Sequence, residues 1–223
     1  MKIYLVRHAE SLGNISGKFN GITDLPLSPK GELQARLLGE FFKDKKLDKV
    51  YTSTLRRTIQ TAAFSTGHDE SSFIKLAELN EIDGGHWEGV EWDRIIKEYN
   101  EEYLLWNEKP HLVRLPGGEN LNELYERSIG VLEKITRDND PDSTVGVFSH
   151  GTVLKVWIAY IRNLDLEELP LIAWYENSSV TGIDFRDGQF SLEFYDDHSH
   201  LPMETKTVAN TPWGCNMKET CKY

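Results

Sequence analysis

The sequence is short of cysteine, of net basic charge and of long apolar runs, and each shortage removes a class of function. Only Cys215 and Cys221 occur among the 223 residues. A structural zinc site needs a close cysteine pair and two further ligands, which this spacing does not supply. In a reducing compartment the two read as free thiols near the chain end. No stretch reaches the ~18 consecutive apolar residues of a membrane helix. The opening Met1-Lys2-Ile3-Tyr4-Leu5-Val6 leads directly into a strand pattern, without the apolar segment and small-residue cleavage site of a signal peptide. The expectation is a cytoplasmic protein with no membrane partner. Lys and Arg number 25 against 36 Asp and Glu, a formal charge of −11, which argues against a sequence-independent nucleic-acid binder. In so acidic a chain, a local concentration of cations points to an anionic ligand.

What is present is an alternation of short apolar runs and amphipathic segments. Ile3–Val6 reads as a strand buried on both faces, ending at Arg7-His8. Residues 10–27 form a long loop, and loops of that length are usually functional or disordered. Ser28-Pro29 caps and opens a helix whose apolar face is Leu33, Leu37, Leu38, Phe41 and Phe42. A strand over 48–52 leads into a helix from about Ser53 to Thr66, with Arg57 in its first turn. A cation there opposes the helix dipole unless it serves a bound anion. A short strand at 73–76 precedes a loop holding Glu81, Gly84, Gly85 and Gly89. One aromatic-rich helix is expected from Trp92 to Trp106. Asn120 and Glu123 form a capping box that opens a long helix. Thr144–Phe148 is a second buried strand, followed by Ser149-His150-Gly151 and a helix from about Val153 to Tyr160. Asp187-Gly188 marks a hairpin between two final strands.

This alternation predicts an α/β fold, a three-layer α/β/α sandwich with a mostly parallel central sheet and helices on both faces. One domain is expected over residues 1–197, with 84–118 as a small cap over the site and 198–223 as a loose tail. In such sheets ligands gather at the carboxyl ends of strands. Arg7, His8, Arg57 and His150 all follow or end strands, Glu81 lies in a glycine-rich loop, and Gly151 opens a helix whose N–H groups would face the same place. Fixed cations, an imidazole and a carboxyl group are what phosphoryl transfer requires.

Six blocks follow one another between residue 3 and about residue 152: Leu5-Val6-Arg7-His8-Ala9-Glu10-Ser11; Phe19-Asn20-Gly21 through Ser28 with Gly31 and Gln34-Ala35; Ser53-x-Leu55-x-Arg57 with Gln60-Thr61-Ala62; Leu79-x-Glu81 with Gly84-x-x-Trp87-Glu88-Gly89; Pro116-Gly117-Gly118-Glu119; and Val147-x-Ser149-His150-Gly151. In kind, order and spacing these blocks resemble the histidine phosphatase superfamily, in the branch that holds cofactor-dependent phosphoglycerate mutase and many small phosphatases. Ala9 stands where the family usually has glycine. The resemblance implies that His8 is a nucleophile forming a phosphohistidine and that Glu81 is the general acid and base. It implies that Arg7, Asn14, Arg57 and His150 bind phosphoryl oxygens, with His150 protonated beside the dianion, and that Asn20, Gly21 and Gly151 contact substrate. No metal and no cofactor are called for; His68, His86, His111, His198 and His200 lack ligand spacing.

The implied activity is hydrolysis of a small phosphorylated metabolite. Residues 89–116 are short and contain only Arg94 and Arg114 as arginines, whereas the mutases resembling this chain carry a longer insert with paired arginines. The alternatives are a phosphoglycerate mutase-type transfer, a weakly catalytic phospho-ligand binder and a histidine-based metallohydrolase. Trp87, Trp92, Tyr99, Tyr103, Trp106, His111 and Arg114 are candidates for a leaving-group wall, although most of the aromatics read as subdomain core. Substrate identity and oligomeric state are left open.

Overall fold

The computed structural model describes residues 1–207. Six strands form one sheet in the order β3-β2-β4-β1-β5-β6. They are β1 (Lys2–Arg7), β2 (Lys49–Thr52), β3 (Ile74–Lys75), β4 (Thr144–Ser149), β5 (Val180–Arg186) and β6 (Gln189–Asp197). Strands β1, β2, β3 and β4 run parallel, while β5 and β6 add an antiparallel edge. The β5–β6 turn places Asp187 and Gly188 at φ 51° and 77°, the left-handed pair that a tight hairpin demands.

Side-chain alternation along β1 assigns the two faces. Tyr4 and Val6 pack with Leu38 and Phe42 of α1 (Pro29–Phe42) and Ala62 of α2 (Arg56–Thr66). Ile3 and Leu5 pack with Leu124 and Leu132 of α5 (Leu121–Arg137) and with Leu154 and Trp157 of α6 (Gly151–Ile161). Helices therefore cover both faces, as the sequence predicts. Helix α6 is buried on nearly every side from Gly151 to Ala159, and Trp157 fastens it to α5 by donating to the Ser128 carbonyl at 3.0 Å.

The helix starts follow the expected chemistry. Ser28 accepts from the Gly31 amide, and Asn120 with Glu123 closes a capping box. Three expectations change. The aromatic helix is two pieces, α3 (Trp92–Glu98) and α4 (Asn100–Glu108), because Tyr99 leaves helical geometry at φ −132°, ψ 46°. On α1, Leu33 is exposed and Gln34 buried, since the Gln34 amide accepts from Glu10 N at 2.8 Å and donates to Thr205 O at 2.7 Å. The third concerns the segment after His198. Residues 198–207 do not hang loose: Leu201 and Thr205 are buried, and Thr207 donates to Glu176 and Glu10. The two cysteines lie outside the described residues. Among the described residues, no helix is long and apolar enough to cross a membrane.

Candidate active site

Strand register brings the two histidines together. Arg7 at the end of β1 pairs with Ser149 at the end of β4, so His8 and His150 leave the sheet side by side with ring centroids 5.1 Å apart. Next to β4 lies β2, whose exit residue Ser53 donates its amide to Phe148 O; α2 then begins with Arg56 and Arg57. Next again is β3, followed by a turn anchored by the Ser149 hydroxyl on Leu79 O at 2.8 Å. That turn delivers Glu81. Adjacent strand ends thus present His8, His150, Arg57 and Glu81 in spatial sequence, at the edge where parallel sheets bind ligands.

His8 is held from several directions. Its amide donates to Ser149 O at 3.0 Å, and its carbonyl accepts from Asn177 Nδ2 at 2.8 Å. Its ring Nδ1 lies 2.7 Å from the Ala9 carbonyl. A carbonyl only accepts, so Nδ1 carries the proton and Nε2 keeps its lone pair. Burial, then the charges of Arg57 and Arg7, hold the imidazole well below its ordinary pKa. His8 is therefore neutral and has a nucleophilic nitrogen.

Arg57 is nearly fully buried and spends its fork on protein. Nε donates to His150 Nδ1 at 3.2 Å, Nη1 to Thr23 O at 2.9 Å and Nη2 to Gly21 O at 2.6 Å. Burial pushes its pKa down to about 10, with Glu81, Glu88 and Asp24 opposing, so it remains a cation at neutral pH. Accepting from Arg57 leaves His150 protonated only at Nε2, which lies 2.8 Å from Ser53 Oγ. Burial, then Arg57 and His8, hold His150 well below its ordinary pKa. The protein by itself therefore opposes the expected imidazolium; a bound dianion has to supply the compensating charge. Arg7 donates through Nη1 to Tyr175 O, while its buried Nε has no partner among the described residues.

These groups surround a pocket of about 180 Å³ whose walls include Arg7, His8, Asn14, Asn20, Gly21, Arg57 and Glu81. Seven of the nine residues singled out in the sequence thus line one cavity. His150 stands directly behind it, and Gly151 does not line it. A Cβ on Gly151 would sit 2.4 Å from the Trp174 ring, so glycine is needed there for helix packing. The helix N–H expected to meet substrate goes elsewhere, since Thr152 N donates to Glu81 Oε2 at 3.1 Å. Asn14 accepts from Ser11 N and Oγ through Oδ1, which leaves its amide N–H₂ as the available end. No side chain fits at Gly21, where a Cβ would lie 2.0 Å from the Ile82 carbonyl.

Sequence reasoning missed several walls. Lys18, Phe19, Thr152 and Trp174 also face the cavity. Of the proposed leaving-group wall, only Trp92 and Trp106 line it; Trp87 is core and Arg114 pairs with Glu123. Phe19 sits among Trp87, Trp92 and Trp106 with centroids 5.5–5.8 Å away, tying the 10–27 loop to the segment beyond Gly84. Glu88, which the sequence offered only as part of a motif block and with no role, accepts from the amides of Gly21, Ile22, Thr23 and Gly84 at 2.9–3.1 Å. Such a carboxylate is bound tightly by charge-assisted bonds and fixes the loop that Arg57 grips from the other side. The signal for it was the Trp87-Glu88-Gly89 run itself.

Comparison with known proteins agrees with this geometry. A family model described as the histidine phosphatase superfamily (branch 1) matches residues 3–198. Phosphoserine phosphatase 1 of Hydrogenobacter thermophilus is 36% identical over 168 residues, which is 75% of this chain and 79% of that protein. The Gallus gallus 6-phosphofructo-2-kinase/fructose-2,6-bisphosphatase is 34% identical over 173 residues, 76% of this chain, although the chain spans 34% of that longer protein. The solved structure of YhfR from Bacillus stearothermophilus superposes with a TM-score of 0.85 at 30% identity, covering 89% of this chain and 98% of that one. With two strand-end histidines beside buried arginines and a family match across nearly the whole fold, this chain belongs to the histidine phosphatase superfamily and is a phosphoric monoester hydrolase.

Proposed function

We propose that His8 Nε2 attacks the phosphorus of a small phosphomonoester, forming an N–P bond as the bond to the leaving alcohol breaks. Glu81, in its protonated form, gives its proton to the departing oxygen. Arg7, Asn14, Arg57 and His150 neutralise and orient the phosphoryl oxygens, and Asn20 and Gly21 flank the leaving group. Water then attacks phosphorus, Glu81 takes the water proton, and the N–P bond breaks to release inorganic phosphate and neutral His8. Binding the dianion draws Arg57 Nε away from His150 Nδ1 and offsets the pull of the arginines, so His150 takes up a proton at the nitrogen that Arg57 leaves. No step calls for a metal or cofactor.

The observation carrying this reading is the His8 tautomer: Nδ1 is committed to Ala9 O, so Nε2 keeps the imidazole lone pair on a residue that lines the cavity. Residues 84–118 act as the cap. The cavity suits a compact alcohol, and phosphoserine is the first ester to test because the Hydrogenobacter thermophilus relative is named for it. The setting we assign is the cytoplasm, with no nucleic-acid partner for a chain of charge −11.

The test is hydrolysis of an aryl phosphate with and without a chelator, in the wild type and in His8→Ala. Activity that survives chelation and vanishes in His8→Ala supports the proposal. Full activity in His8→Ala sinks it, and loss on chelation favours a metallohydrolase. Isomerisation of phosphoglycerate without release of phosphate would make the enzyme a mutase instead.

A further inference from the structure

The Pro116–Glu119 block is part of the family resemblance, yet it touches no reacting group and does not line the cavity. Its acidic member is paired. Glu119 Oε1 accepts from Arg127 Nε at 2.6 Å, and Oε2 accepts from Arg127 Nη2 at 2.9 Å. This is a bidentate fork, with both side chains mostly buried at 23% and 13% exposure. The remaining donors of Arg127 all go to one stretch of backbone. Nη1 donates to Glu78 O at 2.7 Å and Asn80 O at 2.8 Å, and Nη2 donates to Glu81 O at 3.0 Å. All five N–H bonds of the guanidinium are therefore used. Glu119 adds its own hold on the same loop: Oε2 accepts from Asp83 N at 3.3 Å, and its amide donates to Asp83 O at 2.9 Å.

We propose that Arg127, oriented by Glu119, is a positioning residue for Glu81, fixing the height and direction from which the carboxyl group meets the leaving oxygen. The inference rests on Glu81 being the proton donor. The Glu81 carboxyl group is tethered by Thr152 N and Ile82 N, and its backbone carbonyl by Arg127. The side chain is thus held at both ends between α5 and α6. Removing the guanidinium strips donors from three carbonyls and a carboxylate at once, so the loop has to shift to find others. A displacement of about 1 Å at an aligned catalytic group costs on the order of 10²-fold in rate. Lysine cannot substitute, because an ammonium has three donors and no planar fork.

Leaving-group dependence separates positioning from general damage. An alkyl phosphate must receive a proton as it departs, whereas 4-nitrophenolate leaves as a stable anion. The measurement is kcat/KM for both esters, which reports the steps up to phosphoenzyme formation. In Arg127→Ala, the value for the alkyl ester falls by about 10²-fold while the nitrophenyl ester loses less than about fivefold. Glu119→Gln shows the same inequality in milder form, and Arg127→Lys does not restore the wild-type ratio. A phosphoenzyme burst with the nitrophenyl ester counts correctly folded sites in each variant, so a poorly folding fraction is corrected for. Equal losses for both esters in Arg127→Ala and Glu119→Gln overturn the proposal. Glu81→Gln is the control: if it shows no such inequality, the proton-donor reading of Glu81 fails; if it alone does, only the positioning role fails.

Discussion

Arg57 Nε donates to His150 Nδ1 across 3.2 Å, and this bond fixes the protonation of both groups. The guanidinium also holds the carbonyls of Gly21 and Thr23, so one side chain ties α2, β4 and the 10–27 loop together. Lysine keeps the charge but not the fork. Arg57→Lys is expected to lower kcat/KM by on the order of 10²-fold, read in a steady-state assay with any good phosphomonoester. Activity within about threefold of wild type would mean that charge alone suffices.

The same bond opposes proton uptake by His150, because Nδ1 cannot both accept from Arg57 and carry a proton, so a bound dianion has to open it. His150 is neutral in its protein surroundings, held down by burial, Arg57 and His8, and a dianion opposes that. Titrating inorganic phosphate into the enzyme near neutral pH, in buffers of different ionisation enthalpy, should show uptake approaching one proton per site. The uptake should disappear in His150→Gln. Uptake unchanged in that variant would assign the proton elsewhere.

Stability should depend on pH through the buried histidines. His8 is held well below its ordinary pKa by burial, Arg57 and Arg7. Folded it stays unprotonated; unfolded it binds a proton below about pH 6.5. Its contribution is therefore complete above about pH 6.5 and declines as pH falls below that value, until the depressed folded pKa is reached. Glu176 and Asp196, both raised by burial, work in the opposite sense at lower pH and cancel when variants are compared. Between about pH 7.5 and 5.5, urea unfolding of wild type should lose more stability than that of His8→Asn, by on the order of 1 kcal/mol. Equal losses would show that His8 is not buried neutral.

Glu88 organises the loop that carries Asn20 and Gly21. Its carboxylate accepts from four backbone amides, and the Thr23 hydroxyl adds a further bond. Glutamine offers one acceptor oxygen and turns an amino group toward these donors. Glu88→Gln should cost about 2 kcal/mol and should speed hydrogen exchange at Gly21, Ile22 and Thr23. Unchanged protection at those amides would remove the assigned role.

The parts of this molecule legible in its sequence are those set by local rules. Ile3–Val6 and Thr144–Phe148 could be read as central strands because burial on both faces leaves little polar alternation, and Asn120 with Glu123 announces α5 through the chemistry of the cap. The strand-end positions of His8 and His150 followed from those strands. Other features arise from tertiary partners that no local pattern encodes. Gln34 is buried because Glu10 and Thr205 satisfy its amide, so it displaces Leu33 from the inner face of α1. Gly151 looks like a ligand-facing helix start until Trp174 is seen lying against it. Glu88 and Glu81 lie in one glycine-rich stretch; four backbone amides make the first a clamp, while Thr152 N holds the second at the cavity wall.

The central claim is that His8 Nε2 becomes bonded to phosphorus. Rapid mixing of the enzyme with an aryl phosphomonoester, quenching under conditions that preserve phosphoramidates, and peptide mass spectrometry test it directly. The expected result is one acid-labile phosphoryl group on the peptide containing His8, enriched in Glu81→Gln, where hydrolysis of the intermediate is slowed, and absent in His8→Ala. A phosphoryl group on His150 or another residue, or turnover that persists in His8→Ala, would contradict it.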